Sequence, residues 1–392
     1  MVGAQRLAGF GSSIFSEMSR IAVQHGAVNL GQGFPDFPGP DFVKAAAHAA
    51  IDADLNQYAI SHGAPRLRKA IAATWERDWD RAIDPDAEIT VTSGATEAIA
   101  DAMLAFLNPG DEVIVFEPFY DAYVPVITFA GGVACYVTLR PPDWSFDPDE
   151  LAAAFSPRTR LILLNTPHNP TGKVFTRDEL ALIGELAERH DALIITDEVY
   201  DRIVFHDTGA RHVPIATLPG MWERTLTLNS TGKTFSMTGW KIGYAVGPAP
   251  LNAALRAVHQ FVTFATSTPF QEAMAIALET AAERGYYDTL RAEYTARRDL
   301  LADALHAAGL STLPVGGSYF LLTDIADFGF PDDAAFCRYL AAEIGVAAIP
   351  PSAFYADPAR APQLARFCFA KRPETIAAAA ERLKKLVVGR ET

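Results

Sequence analysis

Cysteine is scarce in this 392-residue chain: Cys135, Cys337 and Cys368 are the whole complement, with no C-x-x-C spacing. An odd, scattered set encodes neither a disulfide framework nor a zinc ribbon. The apolar neighbours of Cys337 and Cys368 (Phe336, Phe367, Phe369) mark buried, inert thiols. Positive charge is also short. Lys+Arg 33 against Asp+Glu 47 leaves a net charge of −14, which disfavours a nucleic-acid partner. No apolar run approaches the roughly 20 residues of a membrane span. The first fifteen residues lack the basic-then-apolar order of a secretory signal, so a cytoplasmic location is expected.

Familiar motifs are missing too. Gly232-Lys233-Thr234 looks like the end of a nucleotide phosphate loop, but Thr227 stands where its first glycine belongs. Gly31 and Gly33 are followed by Asp36 where a dinucleotide fingerprint needs glycine. There is no H-E-x-x-H, and His206 with His212 falls in a loop-like stretch, so no metal site is expected. No G-x-S-x-G elbow occurs.

What is present is 49% apolar and 20% charged, enough for a large core. At roughly 150 residues per domain the length suggests two or three units. After an arm with a short helical pattern (Ile14, Met18, Ile21, Ala22) and a Gly/Pro-dense loop, Gly31 to Pro40, helical and β-branched stretches alternate. Helices are predicted over Phe42 to Ala53, Pro65 to Trp79, Ala95 to Leu107 and Asp178 to Arg189. Strands are predicted over Glu88 to Thr92, Glu112 to Phe116, Leu161 to Asn165, Leu193 to Thr196, Thr225 to Leu228 and Ile242 to Val246. Such alternation predicts an α/β fold with a mostly parallel sheet covered by helices on both faces. A long helical pattern, Pro269 to Ala307, then leads into short strands (Tyr319 to Thr323, Val346 to Ile349, Arg366 to Phe369). Amphipathic helices (Asp332 to Glu343, Glu374 to Val387) are mixed with them. This reads as a smaller α+β domain that the arm joins. The expected division is 1–45 (arm and part of the small domain), 46–284 (large domain) and 285–392 (small domain).

Polar residues stand at the ends of the apolar runs. Leu193-Ile-Ile-Thr-Asp-Glu-Val-Tyr200 puts Asp197 where a buried parallel strand ends, and ligands bind outside such ends. Asn165 and Asn169 stand at a second end, with Ser230 and Lys233 just beyond a third. Ser93-Gly-Ala-Thr-Glu97 joins a strand to a helix and offers free N–H groups to an anion. Singly, each has an ordinary reading. The lysine can be solvated surface, Asp-Glu a helix N-cap, Asn-Pro-Thr-Gly a turn, and Tyr120 and Tyr123 core aromatics. Their occurrence together, in order, favours one crevice holding a carboxylate, a phenol, an amide, an amine and an anion nest.

On these residues the chain resembles the pyridoxal-phosphate-dependent aminotransferases of fold type I, class I/II. The most specific stretch is Ser230-Thr-Gly-Lys-Thr-Phe-Ser-Met-Thr-Gly-Trp-Lys-Ile-Gly243. Leu30 to Pro38, Glu117 to Tyr123 and Arg366 to Lys371 are similar to the branch of kynurenine–oxoglutarate transaminases, glutamine transaminase K and bacterial methionine aminotransferases. The resemblance implies pyridoxal 5'-phosphate as cofactor, with Lys233 as its covalent anchor and the proton shuttle. It implies that Asp197 pairs with the ring nitrogen, Tyr200 and Asn169 contact the ring oxygen, and Tyr120 stacks on the ring. The phosphate would rest on the amides of Ala95 and Thr96, with Ser230 and Lys241 as side-chain donors. Many relatives carry arginine at position 241, so here the phosphate would meet a point charge.

Tyr58 matches a tyrosine that reaches the phosphate from a partner subunit, which implies a homodimer with shared sites. Arg366, helped by Asn169 and the backbone at Gly33, would bind the substrate α-carboxylate; a surface ion pair is its ordinary alternative. With no second arginine identifiable for a distal carboxylate, neutral donors are expected: methionine, glutamine, aromatic or kynurenine-like L-amino acids, with a 2-oxo acid as acceptor. A C–S β-lyase on the same scaffold is the alternative, and a cofactor-binding regulator the more remote one.

Overall fold

The β-branched runs pair into one large and two small sheets in a computed structural model that describes residues 3–7, 9–11 and 13–388. Residues 1, 2, 8, 12 and 389–392 of the expected arm and small domain lie outside the described residues. The strands are β1 Val28–Asn29, β2 Ile89–Thr92, β3 Glu112–Glu117, β4 Val133–Thr138, β5 Thr159–Asn165, β6 Leu193–Asp197, β7 Thr225–Ser230, β8 Gly243–Val246, β9 Phe320–Asp324, β10 Val346–Ala347 and β11 Leu364–Cys368. The large sheet has the order β2-β8-β7-β6-β5-β3-β4. Its ladders are parallel except where β8 runs antiparallel to β2 and β7. The α/β expectation holds, with β8 as the single reversed strand.

Period-two alternation divides the core between the two faces of this sheet. Val113, Val115, Leu161, Leu163 and Ile195 pack on one face with Ala98, Ile99 and Met103 of the helix Ala95–Phe106. Ile114, Phe116, Ile162, Leu164 and Ile194 pack on the other with Leu180, Ile183 and Leu186 of the helix Arg177–Arg189. That second helix starts in a reciprocal cap. The Thr176 hydroxyl accepts the Glu179 N–H at 3.2 Å, and the Glu179 carboxylate accepts the Thr176 N–H at 2.8 Å.

The arm and the C-terminal part pack into one cluster, which Val199, Tyr200 and Phe205 also enter. β1 pairs with β10 (Val28 opposite Val346), and β9 pairs with β11. Met18, Ala22 and Leu30 pack with Phe336, Leu340, Phe367 and Leu383. The continuous helix expected over Pro269 to Ala307 is instead two, Thr268–Ala281 and Tyr286–Ala307. Gly285 stands between them at φ 63, a left-handed conformation that an α-helix cannot accommodate. The helix expected over Asp332 to Glu343 runs as Asp333–Tyr339 and then widens into a π turn, Leu340–Ile344. Among the described residues no helix is long and apolar enough to cross a membrane.

Candidate active site

Four strand ends and one strand start bring the polar residues to a single rim. Asn165 pairs with Asp197 in register, and Asp197 with Leu228. Gly243, at the start of the reversed β8, lies opposite both Ser230 and Thr92. Lys241 therefore reaches the same rim as the ends of the parallel strands. Beyond the rim is a cavity of about 370 Å³. Gly33, Ala95, Thr96, Tyr120, Asn169, Asp197, Tyr200, Ser230, Lys233, Lys241 and Arg366 all line it. Tyr58 does not. It is 82% exposed, with its ring edge-on to Phe264 at 5.2 Å.

Asp197 is buried at the end of β6. The Tyr123 hydroxyl donates to its Oδ2 at 2.7 Å and the Val199 N–H to its Oδ1 at 3.3 Å. The Asn165 amide braces this strand end by donating to the Asp197 carbonyl at 2.8 Å. Burial pushes the carboxyl pKa up to about 6. A buried carboxylate without a cationic side chain in contact favours a cationic ligand group.

Lys233 follows β7 in a single helical turn, Thr231–Thr234, capped by Ser230, whose hydroxyl accepts the Gly232 N–H at 3.2 Å. Ser230 also donates to the Ile242 carbonyl at 3.3 Å, so its hydroxyl is engaged locally as well as facing the cavity. Lys233 Nζ donates to the Tyr319 hydroxyl oxygen at 2.9 Å. Burial lowers the amine pKa to about 8, within reach of the neutral, nucleophilic form.

Arg366, central in β11, is 1% exposed, so it is no surface ion pair. It donates from Nη1 to Asn169 Oδ1 at 2.9 Å and from Nη2 to the Gly31 carbonyl at 3.0 Å, while its buried Nε has no partner. Its guanidinium carbon lies 4.1 Å from the centroid of the Phe320 ring. A guanidinium held by neutral acceptors and an aromatic face, with no carboxylate in contact, can take a carboxylate from a ligand.

The anion nest forms at the helix Ala95–Phe106, which starts without a capping side chain and leaves its first N–H groups free. Gly94 precedes it at φ 82, and a Cβ there would lie 2.9 Å from Lys241 Nζ. Glycine thus makes room for the ammonium. Behind the nest, Glu97 folds back onto the Ser93 N–H and contacts His259 Nδ1 at 2.7 Å, while His259 Nε2 donates to the Ser61 carbonyl at 2.7 Å. Burial opposes charge on His259, but hydrogen bonds to Asp101 and Glu97 prevail and raise its pKa to about 10. Sequence reasoning did not find Tyr319, Phe320 or His259. The first two follow Gly316-Gly317-Ser318, a signal only of a turn before a strand.

Residues 26–383 match the family Aminotransferase class I and II. The chain belongs to that family. It is similar to the methionine aminotransferase of Escherichia coli (strain K12), with 44% identity over 98% of this chain and 99% of that protein. A crystal structure from Escherichia coli, reported with a methionine aminotransferase function, superposes with a TM-score of 0.94 over 98% of this chain and 100% of that one. A probable N-succinyldiaminopimelate aminotransferase, DapC, of Mycobacterium tuberculosis (strain H37Rv) is 46% identical over 97% and 98%. Kynurenine–oxoglutarate transaminase 3 of Mus musculus is 41% identical over 96% and 89%. The resemblance read from the motifs and the α/β architecture are borne out. The chain is a transaminase of a pyridoxal-phosphate-dependent family that acts on amino acids and 2-oxo acids.

Proposed function

We propose that this chain moves the amino group of a neutral L-amino acid, of the methionine, glutamine, aromatic or kynurenine kind, to a 2-oxo acid by ping-pong chemistry on pyridoxal 5'-phosphate. The observation that carries the reading is the convergence of a buried amine, Lys233, a buried carboxylate, Asp197, and an unpaired buried guanidinium, Arg366, on one cavity. The residues present fit the cofactor. Asp197 lacks the cation that a pyridinium nitrogen would supply, and the glycine-lined helix start with Lys241 suits a phosphate.

Bound there, pyridoxal phosphate supplies a carbonyl for amino groups and a cationic ring that absorbs negative charge developing at the substrate α-carbon. Lys233 would anchor it and, once displaced by the substrate amine, move the α-carbon proton. Asp197, oriented by Tyr123, would keep the ring nitrogen protonated. Tyr200 and Asn169 would hold the ring oxygen and Tyr120 would cover the ring face. Ala95, Thr96, Ser230 and Lys241 would hold the phosphate. Arg366, with Asn169 and the backbone at Gly33, would bind the α-carboxylate.

Support for neutral donors comes from the cavity wall. Phe15, Phe34 and Phe320 line it, and Arg366 is its one arginine among the described residues. The Escherichia coli and mouse relatives are named for methionine and kynurenine. The Mycobacterium tuberculosis relative is named for a donor with further carboxylates, for which this wall offers no second arginine fork. Tyr58 would serve the phosphate of a second copy in a homodimer. A cytoplasmic site of action, expected above, is part of the same proposal.

The test is a donor panel on protein loaded with pyridoxal phosphate, followed by the change in its visible absorption without an acceptor. Methionine, glutamine or an aromatic donor reacts fastest on this reading; faster reaction with aspartate or N-succinyldiaminopimelate overturns it. Pyruvate and ammonia released from cystathionine without any oxo acid identify the lyase instead. Lys233→Ala removes both the visible band and turnover, and retention of both would sink the assignment.

A further inference from the structure

Tyr319 has no place in the roles above, yet it touches the amine on which they turn. It stands directly before β9 and is fully buried. Its ring meets Tyr200 edge-on at 5.0 Å and Phe320 at 4.8 Å, and stacks on Tyr294 at 6.1 Å. Three rings therefore fix the direction of its hydroxyl. The backbone aims it as well: Ser318 has φ 63, and its N–H is bound to the Ile203 carbonyl at 2.9 Å.

The phenol has one proton and three close neighbours, the Gly33 carbonyl, Lys233 and the Tyr200 hydroxyl. The Gly33 carbonyl, at 2.5 Å, can only accept, so the proton of Tyr319 goes there. Lys233 Nζ, at 2.9 Å, must then be the donor. A lysine can donate as ammonium or as neutral amine, so the contact survives a change of charge. Burial holds the Tyr319 pKa well above its ordinary value, and the phenol keeps its own proton. It cannot serve as a base.

We propose that Tyr319 is a positioning residue whose hydroxyl berths the free amine of Lys233 and ties it to the substrate-side loop at Gly33. This rests on the reading of Lys233 as the cofactor lysine. When a substrate amine displaces it, the freed Nζ has a defined resting point beside the backbone expected to meet the substrate carboxylate. Other groups also face this amine. Cys368 and Asp197 favour its charged form, Lys241 and Arg366 oppose it, and the Tyr200 ring centroid lies 5.6 Å away. The Tyr319 oxygen adds a bond that is stronger to ammonium than to amine. Removing it moves the titration of Lys233 to lower pH by roughly half to one unit.

The experiment follows the reactivity of Lys233 in full-length protein freed of pyridoxal phosphate. Limiting reductive methylation across a pH series, read on the Lys233 peptide by mass spectrometry, gives the midpoint in the wild type and in Tyr319→Phe. The midpoint falls in the variant, from about 8 in the wild type. In the loaded variant kcat falls while KM for the amino acid changes little, because Arg366 and Asn169 still hold the carboxylate. An unmoved midpoint overturns the proposal. Should Tyr319→Phe not fold, 3-fluorotyrosine at this position, a poorer acceptor of nearly the same shape, must shift the midpoint the same way. Borohydride reduction of loaded wild-type protein separates the two levels. An adduct on any lysine but 233 overturns the reading of the site, whereas an adduct at Lys233 with an unmoved midpoint overturns only the role of Tyr319.

Discussion

Two buried residues, Asp197 and Lys233, carry opposite electrostatic penalties. Burial raises Asp197 from 3.8 to about 6, so the folded chain holds that proton more tightly than the unfolded one, and stability falls as pH rises through this window. Burial lowers Lys233 from 10.5 to about 8, so the folded chain holds that proton less tightly, and stability is regained as pH rises from 8 to 10.5. Between 6 and 8 both groups are charged and both penalties act. Pyridoxal phosphate that pairs with one and discharges the other should therefore raise Tm at pH 7, measured by scanning calorimetry with and without it. Its rate of capture by the empty protein should climb with pH and level off above about 8; a climb continuing toward 10.5 in stopped-flow absorbance would mean an ordinary lysine reacts. Arg366→Lys keeps the charge and loses the fork, so kcat/KM for the amino donor should fall by about 10- to 100-fold in steady-state kinetics.

Elements position Asp197 and Lys233 through their ends, and end chemistry is partly written in sequence. Pro65 at a first helical turn and the Thr176-x-x-Glu179 box announce helices that form where expected. Thr176→Ala lies away from the cavity and should cost about 1 kcal/mol in denaturant unfolding with turnover unchanged. Gly94→Ala acts at the anion nest, where φ is 82 and a Cβ would lie 2.9 Å from Lys241 Nζ. It should destabilise the chain by about 1 kcal/mol and weaken pyridoxal phosphate binding several-fold by equilibrium dialysis. Other elements were not legible. β4 is not among the expected strands although Val133 to Val137 is an apolar run; it is an edge strand of mixed exposure that follows Gly131-Gly132. The break at Gly285 was hidden because the helices on either side both continue an amphipathic pattern.

At the scale of the whole molecule, the exposed apolar side chains near Tyr58 bear on assembly. Phe261 is 85% exposed, and Ile60, Val262 and Phe264 are exposed as well, a grouping typical of a covered surface. If Tyr58 serves the site of a second copy, Tyr58→Ala and Lys233→Ala chains should each be inactive alone or nearly so. Refolded together in equal amounts they should recover about a quarter of wild-type activity, because one site of each mixed dimer is then intact. No recovery would place Tyr58 in its own chain's chemistry or outside it.

By itself the sequence determined the alternation of strands and helices, the residues at the strand ends and the family, because these are local patterns of apolar period, turn chemistry and contiguous motif. Only the tertiary structure decided that Lys233 rests on Tyr319, that Arg366 is buried without an acidic partner, and that β8 runs backwards to deliver Lys241. Each of those joins residues far apart in the chain, and burial, charge balance and hydrogen-bond partners exist only once packing has brought them into contact.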